Sequence, residues 1–313
     1  MVKLTEGAEL VIHLGDVFPA ANGFQNLLRD FFVVCHRSCL FLFILRKRAK
    51  SNRINVQLCN IPKENRRKQM NITTILFDLD GTLLPMDNDA FTKGYFKLLA
   101  GRMAPHGYET RQLVDAIWAG TAAMVKNDGT RSNEQAFWAR FEEIYGEKAI
   151  ADKPLFDAFY TTDFQKAREI CGFNPEAAKS VRAIKEMGLR VALATNPIFP
   201  AVATESRIRW AGLEPEEFEL YTTYETIGYC KPNPAYYREV AAKLGVDPAQ
   251  CLMVGNDVSE DMEAAAQTGM KVFLLTDCLI NRENKEISAY PHGSFAQLMA
   301  LLQKSEQAFM KNR

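Results

Sequence analysis

Residues 72–84 read ITTILFDLDGTLL, an apolar β-type run closed by two carboxylates, Asp78 and Asp80, and then by Gly81-Thr82. Burying an unpaired carboxylate is costly, so a chain that needed only a strand here would not end it this way. Two acids that can face the same side suit proton transfer or a hard cation. The plainer reading, an Asp that caps a turn or a helix, accounts for either acid taken alone.

Three more polar groups deserve the same question: Thr195-Asn196, Lys231-Pro232, and Gly255-Asn256-Asp257 with Asp261. Singly, they read as a turn, a loop opening a helix, and a loop after a strand. The elements around them change that. Apolar runs at 72–77, 190–194, 218–222, 251–254 and 272–275 read as strands. They alternate with amphipathic stretches such as 176–189 and 234–245, each with Gly near its end. Alternation of this kind predicts an α/β fold with a doubly wound, Rossmann-like parallel sheet. In such sheets a ligand sits outside the carboxyl ends of the strands, where all four groups fall. Residues 90–170 break the rhythm: they are too long for a crossover and helical throughout, which predicts a small helical domain over the sheet's edge.

Together, D-L-D-G-T at 78–82, T-N at 195–196, Lys231 and the acids at 257 and 261 resemble the motif series of the haloacid dehalogenase (HAD) superfamily, in order and spacing across residues 72 to about 277. The resemblance implies a core of 70–86 and 171–280, a helical cap at 87–170 of the kind that processes small soluble substrates, and a C-terminal helical segment at 281–313. It also implies Asp78 as the nucleophile that attacks phosphorus and forms an aspartyl-phosphate. Asp80 would protonate the leaving oxygen and then deprotonate water. Gly81 would let the backbone turn under the phosphate with its N–H groups exposed, while Thr195, Asn196 and Lys231 would bind its oxygens.

Two carboxylates beside a phosphate dianion repel it, so the expectation includes Mg²⁺, held by Asp78, the carbonyl of Asp80 and Asp257, with Asp261 as its partner. The motif reads G-N-D, which leaves Asn256 as the alternative to Asp257. We favour Asp257, because i, i+4 spacing to Asp261 puts both on one helical face. An acid at 80 points to phosphate-ester hydrolysis, of the phosphoglycolate phosphatase kind, rather than dehalogenation. A sugar phosphomutase of the β-phosphoglucomutase type and a non-catalytic phosphate-binding regulator are the alternatives. The expected partner is a small phosphorylated metabolite, acting on a monomer or a homodimer.

Composition narrows the rest. Residues 1–69 hold 12 Lys/Arg against 5 Asp/Glu, which leaves 26 against 33 in the remainder. An acidic remainder argues against nucleic acid as partner. Seven irregularly placed cysteines make no disulfide framework and suit a reduced, cytoplasmic protein. The apolar stretch 31–45 is too short to span a bilayer and is broken by His36-Arg37, so a membrane is not expected. Cys35, His36 and Cys39 lack a second pair for a metal site. Residues 1–69 are read as an uncertain extension, with Met70 as the expected natural start. In the insertion, Trp118, Phe137, Trp138 and Phe141 are expected in its core, and Lys93, Lys126, Arg131 and Arg140 on solvated surface. The four histidines have no Ser or Cys partner that would suggest a triad.

Overall fold

The computed structural model describes residues 10–12, 31–36, 39–46, 55–58 and 72–310, with side chains for 72–304. The chain divides into two compact units, Met1–Lys68 and Gln69–Arg313. In the first, β1 (Leu10–Ile12), β2 (Phe31–His36), β3 (Cys39–Arg46) and β4 (Asn55–Leu58) pair antiparallel in that order. The apolar stretch weighed as a membrane segment thus supplies β2 and β3, in register from Phe31↔Ile44 to His36↔Cys39. Among the described residues, no helix is long and apolar enough to cross a membrane. Met70 and the side chains of Cys35, His36 and Cys39 lie outside the described residues.

The second unit is built on β5 (Thr74–Phe77), β6 (Arg190–Leu193), β7 (Cys251–Gly255), β8 (Lys271–Leu275) and β9 (His292–Gly293). All five run parallel, in the order β6-β5-β7-β8-β9. The sheet is buried on both faces, which is why its strands read as unbroken apolar runs. Along β5 the side chains alternate: Ile75 and Phe77 enter one cluster, while Leu76 packs with Tyr236, Tyr237 and Val240 in the other. Phe77 is level with Leu193 of β6 and Val254 of β7. The carboxyl ends of β6, β5 and β7 therefore open at one height, on either side of β5 where the strand order reverses.

The expected strand at 218–222 is not a sheet member. It follows β6 through three backbone hydrogen bonds, Glu219 N to Val191 O, Leu193 N to Leu220 O and Thr222 N to Leu193 O, with one isolated bridge at Tyr221. The 3₁₀ turn Pro215–Glu217 delivers the chain late, and Thr222 then turns its hydroxyl toward the Thr195 carbonyl (2.7 Å). Too little extended backbone remains for a ladder.

Between β5 and β6 lie α1 (Asn88–Met103), α2 (Thr110–Val125), α3 (Asn133–Tyr145), α4 (Glu147–Ala151) and α5 (Lys153–Thr161). The predicted helix at 153–170 breaks at Thr162 into α5 and a 3₁₀ segment, Asp163–Ile170. Next come α6 (Pro175–Glu186), α7 (Ala201–Trp210) and α8 (Pro234–Leu244), in agreement with the predicted helices at 176–189 and 234–245. Pro175 and Pro234 enter at the first turn, where a missing N–H costs nothing. A π-helical turn, Val258–Glu263, leads into α9 (Ala264–Ala266), and α10 (Phe295–Met310) closes the described chain.

The helical insertion is fastened to the sheet side at two places. Phe164 stacks on Trp210 of α7, ring centroids 5.2 Å apart, and Gln165 Nε2 donates to Ser206 Oγ (2.9 Å). At the start of α3, Asn133 is fully buried; its backbone N–H donates to Ile227 O and its amide to Pro197 O (3.2 Å).

Candidate active site

Asp78 follows directly on β5, its N–H held by Val254 O (2.9 Å) and its side chain 10% exposed. The carboxylate has two partners. Lys231 Nζ donates to Oδ1 (2.8 Å) and Thr82 Oγ1 to Oδ2 (3.2 Å). Lys231 also donates to Asp261 Oδ1 (2.6 Å), so one buried ammonium lies between two buried carboxylates. Burial opposes the charge on Lys231, but Asp261 and Asp78 outweigh it and hold the ammonium well above its ordinary range. Asp78 is the member left short of compensation. Burial pushes it up to about 7, against the attraction of Lys231 and with repulsion from Asp261 and Asp80 adding to the rise.

Asp257 and Asp261 both line the cavity, but Asp261 lies within the π turn and Asp257 precedes it. Asp257 has extended backbone (φ −102°, ψ 124°) and accepts Ser259 N and Glu260 N at Oδ1, both 2.8 Å, as N-cap of the π turn. The i, i+4 argument fails because the first residue of the pair stands outside the helix. Asp261 turns inward instead, where its Oδ2 accepts the N–H groups of Asn256 and Asp257, both 3.1 Å. Its two oxygens are thereby taken by Lys231 and the backbone, and it orients the ammonium. Asn256 is 2% exposed; its Oδ1 accepts from the same Thr82 hydroxyl that bonds Asp78 (3.0 Å), and its Nδ2 donates to Cys278 O (2.7 Å).

Gly81 is required by two facts of the fold. Its φ is +82°, and a Cβ there would stand 2.3 Å from Asn256 Nδ2. Its N–H, expected to face a phosphate, instead donates to Leu84 O (2.8 Å) and closes the turn. Thr195 and Asn196 follow β6. The Thr195 carbonyl accepts from Thr222 and from Tyr236 OH (2.8 Å). Asn196 Nδ2 donates to Glu260 Oε2 (3.2 Å), while its Oδ1 is buried without a partner.

Two residues escaped the sequence reading. Arg207 on α7 is 1% exposed; it pairs with Asp80, donates to Thr204 Oγ1 (3.3 Å), and lies over the Phe199 ring (4.4 Å). The signal was present: Arg207 falls four after Ala203 and three before Trp210, on the buried stripe of its helix. A cation on such a stripe needs an anion. Glu260, pushed upward chiefly by burial, is the other.

Asp78, Asp80, Thr195, Asn196, Asn256 and Asp257 all line one cavity of about 520 Å³ between the strand ends and the insertion. Five carboxylates (78, 80, 257, 260, 261) stand here against three cations, Lys231, Arg207 and Arg282. Among the described residues, no three His, Cys, Asp or Glu side chains converge into a ready metal cage. The donor set nevertheless suits a hard cation that keeps several waters: Asp78 Oδ2 and Asn256 Oδ1 meet at one hydroxyl, and Asp80 Oδ1 is buried with no partner.

Residues 72–269 match the family model described as haloacid dehalogenase-like hydrolase. The chain is 26% identical over 202 residues to a glyceraldehyde 3-phosphate phosphatase of Methanopyrus kandleri, covering 64% of this chain and 82% of that protein. It is 25% identical over 209 residues to a phosphoglycolate phosphatase of Pseudomonas putida, covering 64% and 68%. Among solved structures, a 2-haloacid dehalogenase of Pseudomonas syringae superposes with a TM-score of 0.52 at 20% identity, over 74% of this chain and 99% of that one.

Proposed function

The chain belongs to the haloacid dehalogenase-like hydrolases, and from that premise we propose that it hydrolyses small phosphate monoesters through a phosphoryl group carried on Asp78. It is an enzyme of the phosphoric monoester hydrolase class, like the phosphatases it matches. The insertion at 87–170 is read as the cap, and 70–86 with 171–280 as the core. One observation carries the proposal: Asp78 and Asp80 meet at the mouth of one cavity, each held by its own buried cation.

In this reading Lys231 holds Asp78 in line and lowers the cost of bringing a dianion against it. Asp261 and the two amides behind it keep that ammonium in place. Asp78 attacks phosphorus, the ester oxygen leaves with the proton of Asp80, and Asp80 then takes a proton from the water that releases phosphate. Arg207 fixes one oxygen of Asp80 and leaves Oδ1 without a partner, the oxygen that would carry the proton. Thr195 and Asn196, at the adjacent strand end, are the expected phosphate donors.

Asp78, the Asp80 carbonyl and either Asn256 or Asp257 would hold Mg²⁺ in this reading. When bound, it would offset the excess negative charge and polarise the phosphoryl oxygens. Asn256 shares the Thr82 hydroxyl with Asp78, whereas Asp257 has one oxygen, Oδ1, engaged in capping. The test is release of inorganic phosphate from a panel of small phosphate esters with Mg²⁺. Release by the native chain and none by Asp78→Asn is the expected result; no release by either would overturn the proposal.

A further inference from the structure

Resting on the phosphatase reading, we infer that the alcohol released here is a bulky aromatic one, uncharged or cationic, rather than a short acid or aldehyde. The insertion's share of the cavity wall includes Phe96, Trp118, Phe137, Trp138, Phe156 and Tyr160. Of the four aromatic residues expected in the insertion's core, Phe137, Trp138 and Phe141 are buried there, Phe137 and Trp138 lining the cavity at the same time, and Trp118 alone is exposed on it. Trp118 is 51% exposed, with its ring 5.5 Å from Phe96. A large aromatic side chain left half open on a cavity wall offers apolar area for a ligand to cover.

The charges on that wall point the same way. Asp89 and Asp157 line it from the insertion and Glu260 from the sheet side. Among the described residues, Arg282 is the single basic side chain on its lining. Lys153 is spent on Glu134 (3.3 Å) and Asp157 (3.5 Å) and stands over Trp138 without lining the cavity. Lys93, Lys126, Arg131 and Arg140 do not line it either. A leaving group bearing a carboxylate would meet aromatic faces and acids there, whereas a cation would meet ring faces that attract it. The volume of about 520 Å³ also lies in the range of sites that hold drug-sized ligands, far more than a two- or three-carbon alcohol fills.

The experiment compares kcat/KM for benzyl phosphate, 4-(aminomethyl)benzyl phosphate, 4-carboxybenzyl phosphate, phosphoglycolate and glyceraldehyde 3-phosphate, with Mg²⁺. The first two should exceed the other three by about tenfold or more, the scale of discrimination a shaped apolar pocket provides. Trp118→Ala should narrow the ratio of benzyl phosphate to phosphoglycolate by about fivefold. Preference for any of the three acidic or short esters, or a ratio unmoved by Trp118→Ala, would overturn the inference while leaving the phosphatase reading intact. Phosphate release from none of the five would overturn that reading and this inference with it.

Discussion

Asp78 is charged at a cost, since burial pushes it up to about 7 even with Lys231 at 2.8 Å. Asp78→Asn keeps the shape and removes the nucleophile, and Lys231 retains Asp261 as its counter-ion. The expected outcome is a fall in kcat of ~10³-fold or more, with a melting temperature close to that of the native chain. Arg207→Met is a different kind of change. It removes a cation that is 1% exposed and leaves Asp80 without its partner. Stability should fall by about 3 kcal/mol in a denaturant titration, the scale of breaking one side of a buried pair. Activity should fall in kcat more than in KM, because Asp80 is then free to turn away from the leaving oxygen. Equal losses in both constants would mean that Arg207 does no more than hold the fold.

Elements explain why some of this was legible in the sequence and some was not. The acids at 78 and 80 stood out because a strand this apolar, with all four residues of β5 buried, has no structural use for them. The helical insertion announced itself by length. Arg207 was hidden among ordinary helix residues, since its partner lies 127 positions away. Phe137, Trp138 and Phe141 are in the insertion's core as expected, and only Trp118 is not, because helical spacing says which residues share a face, not whether that face meets a core or a cavity. In the G-N-D motif the π turn puts Asp257 at the cap, so spacing along a regular helix does not decide between Asn256 and Asp257. The turn after β5 supplies a test at this scale. Gly81→Ala meets both a positive φ and the Asn256 amide at 2.3 Å. It should cost about 2 kcal/mol or more in stability and depress activity, as the amide moves off Thr82. Unchanged stability would mean the turn readjusts without Asn256.

At the scale of the whole Gln69–Arg313 unit, strand ends, insertion and rim charges form one arrangement whose surplus is negative. A divalent cation that binds this folded arrangement, and not the unfolded chain, must stabilise it. With free Mg²⁺ at a hundred times its Kd, the gain is about 2.7 kcal/mol, visible as a rise in Tm that a chelator reverses. Chelation should likewise abolish phosphate release, and full activity in excess chelator would remove the metal from the account. The central claim is a covalent one, and it is tested most directly by acid-quenching the enzyme during turnover and mapping the phosphoryl group by mass spectrometry. The account predicts one acid-stable, base-labile phosphoryl group on Asp78, in the peptide spanning 72–84, and none in Asp78→Asn. Steady phosphate release with that peptide never labelled at Asp78 would contradict it.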